Sequence, residues 1–132
     1  MKRRNSSKIL IIDDSRSVRV LIKKILIKID QKYEVFEAIN GYDALKKIHE
    51  NHLNLIITDV YMPDMDGLEL VQAIRKTIKT KPQIIVMSSK PAIKKTFVLS
   101  GLIESDDFLD KFYIRENLTP LIEKKLLLCQ QA

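Results

Sequence analysis

The chain has 132 residues, 45% hydrophobic and 30% charged, a composition that fits one globular domain. No apolar run approaches the roughly 20 residues of a membrane helix. With no Trp and 6% aromatic residues there is no stacking platform for single-stranded nucleic acid, and Cys129, the one cysteine, cannot form an internal disulfide and suits a reducing cytoplasm.

The net charge of +6 falls mostly on lysine pairs along predicted helix faces, where charge normally meets water, so neither nucleic acid nor membrane is expected as a partner. Lys2-Arg3-Arg4 forms a basic run within residues 1–7, expected to be a disordered tail, and its charge pattern does not fit a signal peptide.

Residues 8–13, KILIID, make a nearly continuous apolar run suited to a parallel strand buried on both faces. Ser15 is placed to cap the next helix, whose stripe is Val18, Leu21, Ile22, Ile25, Leu26 and Ile29. Residues 33–38 read as a second strand; Asn40-Gly41 marks a turn into a helix carrying Ala44, Leu45 and Ile48. The third strand, residues 53–58, is tipped by Asp59, and Gly67 opens a helix with Leu70, Val71, Ile74 and Ile78 on one face. Pro82 precedes a fourth strand at residues 83–87, and Pro91 suits the first turn of a helix that stops near Gly101. Residues 107–110 form a short fifth strand. The last helix carries Ile114, Leu118, Leu121, Ile122, Lys125 and Cys129 on one face, with Thr119-Pro120 disturbing its start. Strand and helix alternate five times, which demands an α/β fold: a doubly wound parallel sheet with helices on both faces, in three layers. The domain is expected over residues 8–129, with residues 130–132 as a C-terminal tail.

Function in such a sheet collects at the carboxyl ends of the strands. Asp13 and Asp14 follow the first strand and Asp59 the third. If those strands are neighbours, three carboxylates share a crevice, and their mutual repulsion favours a hard divalent cation such as Mg²⁺. Ser88 and Lys111 end the fourth and fifth strands. A hydroxyl, an ammonium and a cation around one carboxylate make a phosphoryl-binding set, with Asp59 as nucleophile. Singly, Asp13-Asp14 reads as a helix cap, Ser88 as a strand-end hydroxyl and Lys111 as a surface charge. Together these would be separate accidents at the ends of successive strands. Asp64 and Asp66 read as caps of the following helix, and His49 and His52, without a third ligand, as solvent-facing.

DD at 13–14, TDVYMPDMDG at 58–67, SS at 88–89 and Lys111 resemble the receiver domain of two-component response regulators, the CheY-like fold, across essentially residues 8–129. The resemblance implies a flavodoxin-like sheet of order 2-1-3-4-5. It implies that Asp59 is phosphorylated by a histidine kinase or histidine phosphotransfer protein; the chain is expected to be a stand-alone, cytoplasmic phospho-acceptor rather than a dedicated enzyme. Mg²⁺ would be held by Asp14, Asp59 and the Tyr61 main-chain carbonyl, with Asp13 acting largely through water, and Ser88 and Lys111 would contact the phosphoryl oxygens. Phe108 matches the aromatic that turns inward on phosphorylation; an ordinary core role stands beside that one. The face made by the fourth helix, fifth strand and fifth helix would then meet a downstream target or a second copy, so the protein is expected as a monomer or a phosphorylation-dependent dimer.

Three places depart from the family pattern. Phe112 follows Lys111 where Pro is usual, and a non-proline cis bond costs about 3–4 kcal/mol, so a trans peptide is expected. Glu104-Ser105 and Ser89 replace smaller residues. Tyr61 and Lys90, which flank the site, are both large and are expected to shield an acyl phosphate from water. An unphosphorylated docking module is opposed by the intact acid set, and a phosphatase of the haloacid dehalogenase type wants Asp where Tyr61 stands. A DNA-binding regulator lacks its helix-turn-helix here.

Overall fold

The computed structural model describes residues 6–131, with side chains described through residue 127. The run Lys2-Arg3-Arg4 and the side chain of Cys129 lie outside the described residues.

Five strands, β1 (Lys8–Ile12), β2 (Glu34–Ala38), β3 (Leu55–Asp59), β4 (Gln83–Ser88) and β5 (Phe108–Asp110), alternate with helices α1 (Arg16–Ile29), α2 (Gly41–Glu50), α3 (Gly67–Thr77), α4 (Lys94–Leu99) and α5 (Ile114–Gln131). All strand pairs are parallel and the order is β2-β1-β3-β4-β5. The fold expected from the alternation and from the receiver resemblance is therefore the fold observed.

The central strands are apolar at nearly every position because both of their faces are covered. Alternate residues go to opposite sides. Leu10 and Ile12 of β1 enter a core with Ile48 of α2, Leu70 and Ile74 of α3 and Phe97 of α4. Ile9 and Ile11 enter the other, with Ile22 and Leu26 of α1 and Leu118 and Ile122 of α5. The edge strands β2 and β5 are only partly covered and correspondingly less apolar.

Local chemistry sets the boundaries. The Ser15 hydroxyl accepts the Val18 N–H at the start of α1, and Asp66 accepts the Glu69 N–H at the start of α3. Asp64, expected as a second cap, instead takes the left-handed turn position, with φ 70°. Residues 91–93 form a 3-10 turn before α4, and Gly101, at φ 77°, lets the chain leave that helix. No cis peptide occurs among the described residues, so the bond before Phe112 is trans.

Two further expectations change. Asp107 is not in the fifth strand but closes a 3-10 turn, where its carboxylate accepts the Glu104 N–H at 2.7 Å. Pro120 does not delay the last helix: α5 begins at Ile114 and runs through it. The donor that proline lacks would serve the carbonyl of Glu116. Both residues are exposed, so water can solvate that carbonyl.

Candidate functional site

Parallel pairing brings the ends of four strands to one edge. Ile12 of β1 lies opposite Thr58 of β3, so Asp13 and Asp59 follow at the same level. Ser88 of β4 pairs with Asp110 of β5, which sets Lys111 just beyond. Asp13, Asp14 and Asp59 each place a carboxylate oxygen so that all three lie within 4.8 Å of one another. The sequence placed these acids at strand tips; the sheet order makes them converge.

Their surroundings differ. Asp13 is fully buried, Asp59 is 5% exposed, and Asp14 faces solvent. Asp13 Oδ1 accepts the Ser15 N–H at 2.8 Å and Asp59 Oδ1 accepts the Val60 N–H at 2.9 Å. Lys111 Nζ sits 2.7 Å from Asp13 Oδ2 and 3.2 Å from Asp59 Oδ1. Burial raises the pKa of Asp59 above the ordinary carboxylate value and Asp13 adds to this, against the pull of Lys111 and the Val60 N–H. Burial alone would lower the pKa of Lys111, but Asp13 and Asp59 outweigh it and the net direction is up.

These residues suit a hard divalent cation. The donors are all carboxylate oxygens, they converge, and buried Asp13 Oδ2 has no hydrogen bond, its contact with Lys111 being an ion pair outside hydrogen-bond geometry. Among the described residues no other group of three or more acids, histidines or cysteines comes together in this way. His49 and His52 are exposed.

The remaining candidates sit around this nest. Ser88 is buried at the same edge, but its hydroxyl is taken up locally: it accepts the Lys90 N–H at 2.9 Å and donates to the Lys90 carbonyl at 3.2 Å. Lys90 Nζ lies 5.0 Å from the centre of the half-exposed Tyr61 ring, so the two flanking residues form a cation–π pair. Phe108 is half-buried against the core under α2, α3 and α4. Phe112 projects into solvent beside Lys111, 85% exposed.

Gly67 allows the chain to double back on the tip of β3. Its N–H donates to the Val60 carbonyl at 2.7 Å. A Cβ there would stand 2.6 Å from the Asp59 carbonyl oxygen and 2.8 Å from Val60 Cα. Gly67→Ala is expected to destabilise the fold by about 1–3 kcal/mol and to displace Asp59; urea denaturation measures the first effect and Mg²⁺ titration the second.

One residue at the site was not legible in the sequence. Arg19 of α1 donates from Nη1 to the main-chain carbonyl of Asp13 at 2.8 Å. It is one of the cations Arg16, Arg19, Lys23, Lys24 and Lys28 on that helix, and nothing in the spacing sets it apart.

Comparisons with known proteins agree with the fold. The profile described as the response regulator receiver domain matches residues 9–123. Protein PilG of Pseudomonas aeruginosa is 33% identical over 118 residues, 88% of this chain and 84% of that protein. Chemotaxis protein CheY of Bacillus subtilis is 33% identical over 121 residues, 90% of this chain and 97% of that protein. The response regulator TrrA of Thermotoga maritima, solved in complex with Mg²⁺-BeF, superposes with a TM-score of 0.77 at 29% identity, covering 90% of this chain and 98% of that one. Other matching relatives are longer: the chain spans 8% and 36% of two of them.

Proposed function

The chain belongs to the response regulator receiver family of two-component signalling, and from that premise we propose that it is a stand-alone, cytoplasmic receiver that accepts a phosphoryl group on Asp59 from a histidine kinase or histidine phosphotransfer protein. The observation that carries this reading is the placement of Asp59: a nearly buried carboxylate at the tip of β3, 3.2 Å from Lys111 and converging with Asp13 and Asp14. Receiver function is assigned to residues 8–129. We assign the chain the role of phospho-acceptor rather than dedicated enzyme; it assists only its own transfer and hydrolysis.

An Asp59 carboxylate oxygen attacks the phosphorus of the phosphohistidine. A P–O bond forms, the P–N bond breaks, and its electron pair returns to the imidazole, leaving an acyl phosphate on Asp59. Lys111 supplies positive charge to the phosphoryl oxygens, as its place between Asp13 and Asp59 allows. Asp13, Asp14, Asp59 and the Tyr61 carbonyl are assigned to hold Mg²⁺, which when bound neutralises charge on the oxygens of the transferred group. Ser88 is assigned to the phosphoryl group as well, which requires its hydroxyl to leave the Lys90 main chain. That exchange, with inward movement of half-buried Phe108, would couple the site to the α4-β5-α5 face. Beside that face, along α4 and the turn before β5, lies a groove of about 550 Å³ lined by Pro91, Lys94, Val98, Leu99 and Ser105, with Leu99 76% exposed. We assign it to a target protein, with a phosphorylation-dependent dimer as the other arrangement.

The reading is tested with acetyl phosphate and Mg²⁺. One phosphoryl adduct by mass spectrometry, absent when Mg²⁺ is chelated, is the expected result; no adduct under donor and cation overturns it. The Lys90–Tyr61 pair is expected to shield the acyl phosphate, so that phosphorylated protein outlasts seconds after donor removal. Cation–π pairs at exposed sites contribute about 0.5–1 kcal/mol, so Tyr61→Ala and Lys90→Ala should each speed phosphoryl loss about two- to fivefold. Decay of the wild type within seconds, or unchanged rates in both variants, counts against shielding.

A further inference from the structure

We infer that Arg19 is a positioning residue for the acid site: tied back to Glu37, its guanidinium holds the Asp13–Asp14 peptide so that the exposed Asp14 carboxylate converges with Asp13 and Asp59. The inference rests on reading those acids as an Mg²⁺ site. Asp13 is held at every polar atom. Its N–H donates to the Ala38 carbonyl at 3.1 Å, Oδ1 accepts the Ser15 N–H at 2.8 Å, and Oδ2 meets Lys111 at 2.7 Å. Its carbonyl accepts Arg19 Nη1 at 2.8 Å. That last contact lies on the peptide leading to Asp14, whose exposed side chain has no burial to orient it.

Arg19 is itself anchored. Nε donates to Glu37 Oε1 at 3.1 Å, and the side chain is only 13% exposed. Glu37 belongs to β2, opposite Ile11 of β1, and its own carbonyl accepts Lys47 Nζ. The planar fork of a guanidinium serves two acceptors at once in a fixed relation, which a flexible ammonium does not reproduce. Partners behind the ligands of a metal site are commonly worth 10- to 100-fold in affinity.

Charge alone argues the opposite way. A cation beside a cation site repels the incoming ion, so removing Arg19 should tighten binding if its charge were all that mattered. The sign of the change therefore separates the two roles. Isothermal titration calorimetry of Mg²⁺ would compare the full chain with Arg19→Gln, Arg19→Lys and Lys23→Gln. Lys23 lies 3.8 Å from the same Glu37 and serves as the charge control. Circular dichroism and thermal midpoints in chelator would verify the fold.

Positioning predicts that Kd rises about tenfold in Arg19→Gln and also in Arg19→Lys, which keeps the charge and the aliphatic stem, while Lys23→Gln leaves Kd unchanged or slightly lower. An unchanged or lower Kd in Arg19→Gln, or wild-type affinity in Arg19→Lys, overturns the inference while the metal site stands. A wild type that takes no Mg²⁺ overturns the site reading, and the inference with it.

Discussion

Asp59→Asn is expected to abolish phosphorylation completely and, without metal, to make the protein more stable at neutral pH. The first effect follows because an amide oxygen is a poor nucleophile, and neither Asp13, which is fully buried and paired with Lys111, nor Asp14 is at the tip of β3. Mass spectrometry after treatment with acetyl phosphate and Mg²⁺ should find the adduct on the wild type and none on the variant. An equal adduct on both would move the acceptor to another residue.

The second effect follows from the direction in which the pKa of Asp59 moves. Burial, then Asp13, raises it above its unfolded value. The folded state therefore prefers the protonated acid. That preference contributes stability fully below the unfolded pKa, and the contribution is lost as pH rises through the higher folded value. A tenfold stronger proton affinity in the native state corresponds to about 1.4 kcal/mol. Asn cannot ionise, so the variant escapes the loss. Its advantage in thermal midpoint should be small near pH 4, about the unfolded pKa, and should grow as pH rises toward neutrality. Saturating Mg²⁺ should shrink it, because the cation stabilises the carboxylate form. Midpoints measured in chelator across that range that show no widening gap would refute the electrostatic account of the site.

Lys125→Met should lower stability by about 3–5 kcal/mol, a large part of the total of roughly 5–15 kcal/mol for a domain. Lys125 of α5 and Asp107, in the turn before β5, are both buried and form an ion pair. Burial lowers the pKa of the Lys125 ammonium, with Asp106 and Glu104 opposing that shift. The pair is thus a poor source of net stability, yet removing one member strands the other. Asp107 would keep the Glu104 N–H at 2.7 Å but lose its ion-pair partner. The thermal midpoint is expected to fall by on the order of 10 °C.

The double variant Lys125→Met/Asp107→Asn keeps an acceptor for Glu104 and leaves no buried charge, so it should recover most of the loss. A single variant within about 1 kcal/mol of wild type would show that Asp107 is solvated or protonated instead. The consequence reaches the site, because this pair anchors the turn that leads into β5, and β5 delivers Phe108 and Lys111. Wild-type Mg²⁺ affinity and phosphorylation rate in the single variant would show that the anchor does not govern where Lys111 sits.

Local patterns decided a large share of this protein. The apolar runs of β1, β3 and β4, the helical stripes and the acids at strand tips are periodic or positional signals, and each can be read without knowing what lies across the sheet. With the receiver resemblance, they place Asp13, Asp14, Asp59, Ser88 and Lys111 at one edge. Only the tertiary structure decided which atoms meet. It pairs Lys111 with both Asp13 and Asp59, turns the Ser88 hydroxyl onto Lys90, and sets Lys90 over Tyr61. It buries Lys125 against Asp107 and brings Arg19 to the back of the Asp13 peptide. Most of these partners are far apart in the chain, and periodicity carries no information about them. Strand register, helix packing and the limited room at a sheet edge select them, and those are properties of the assembled core.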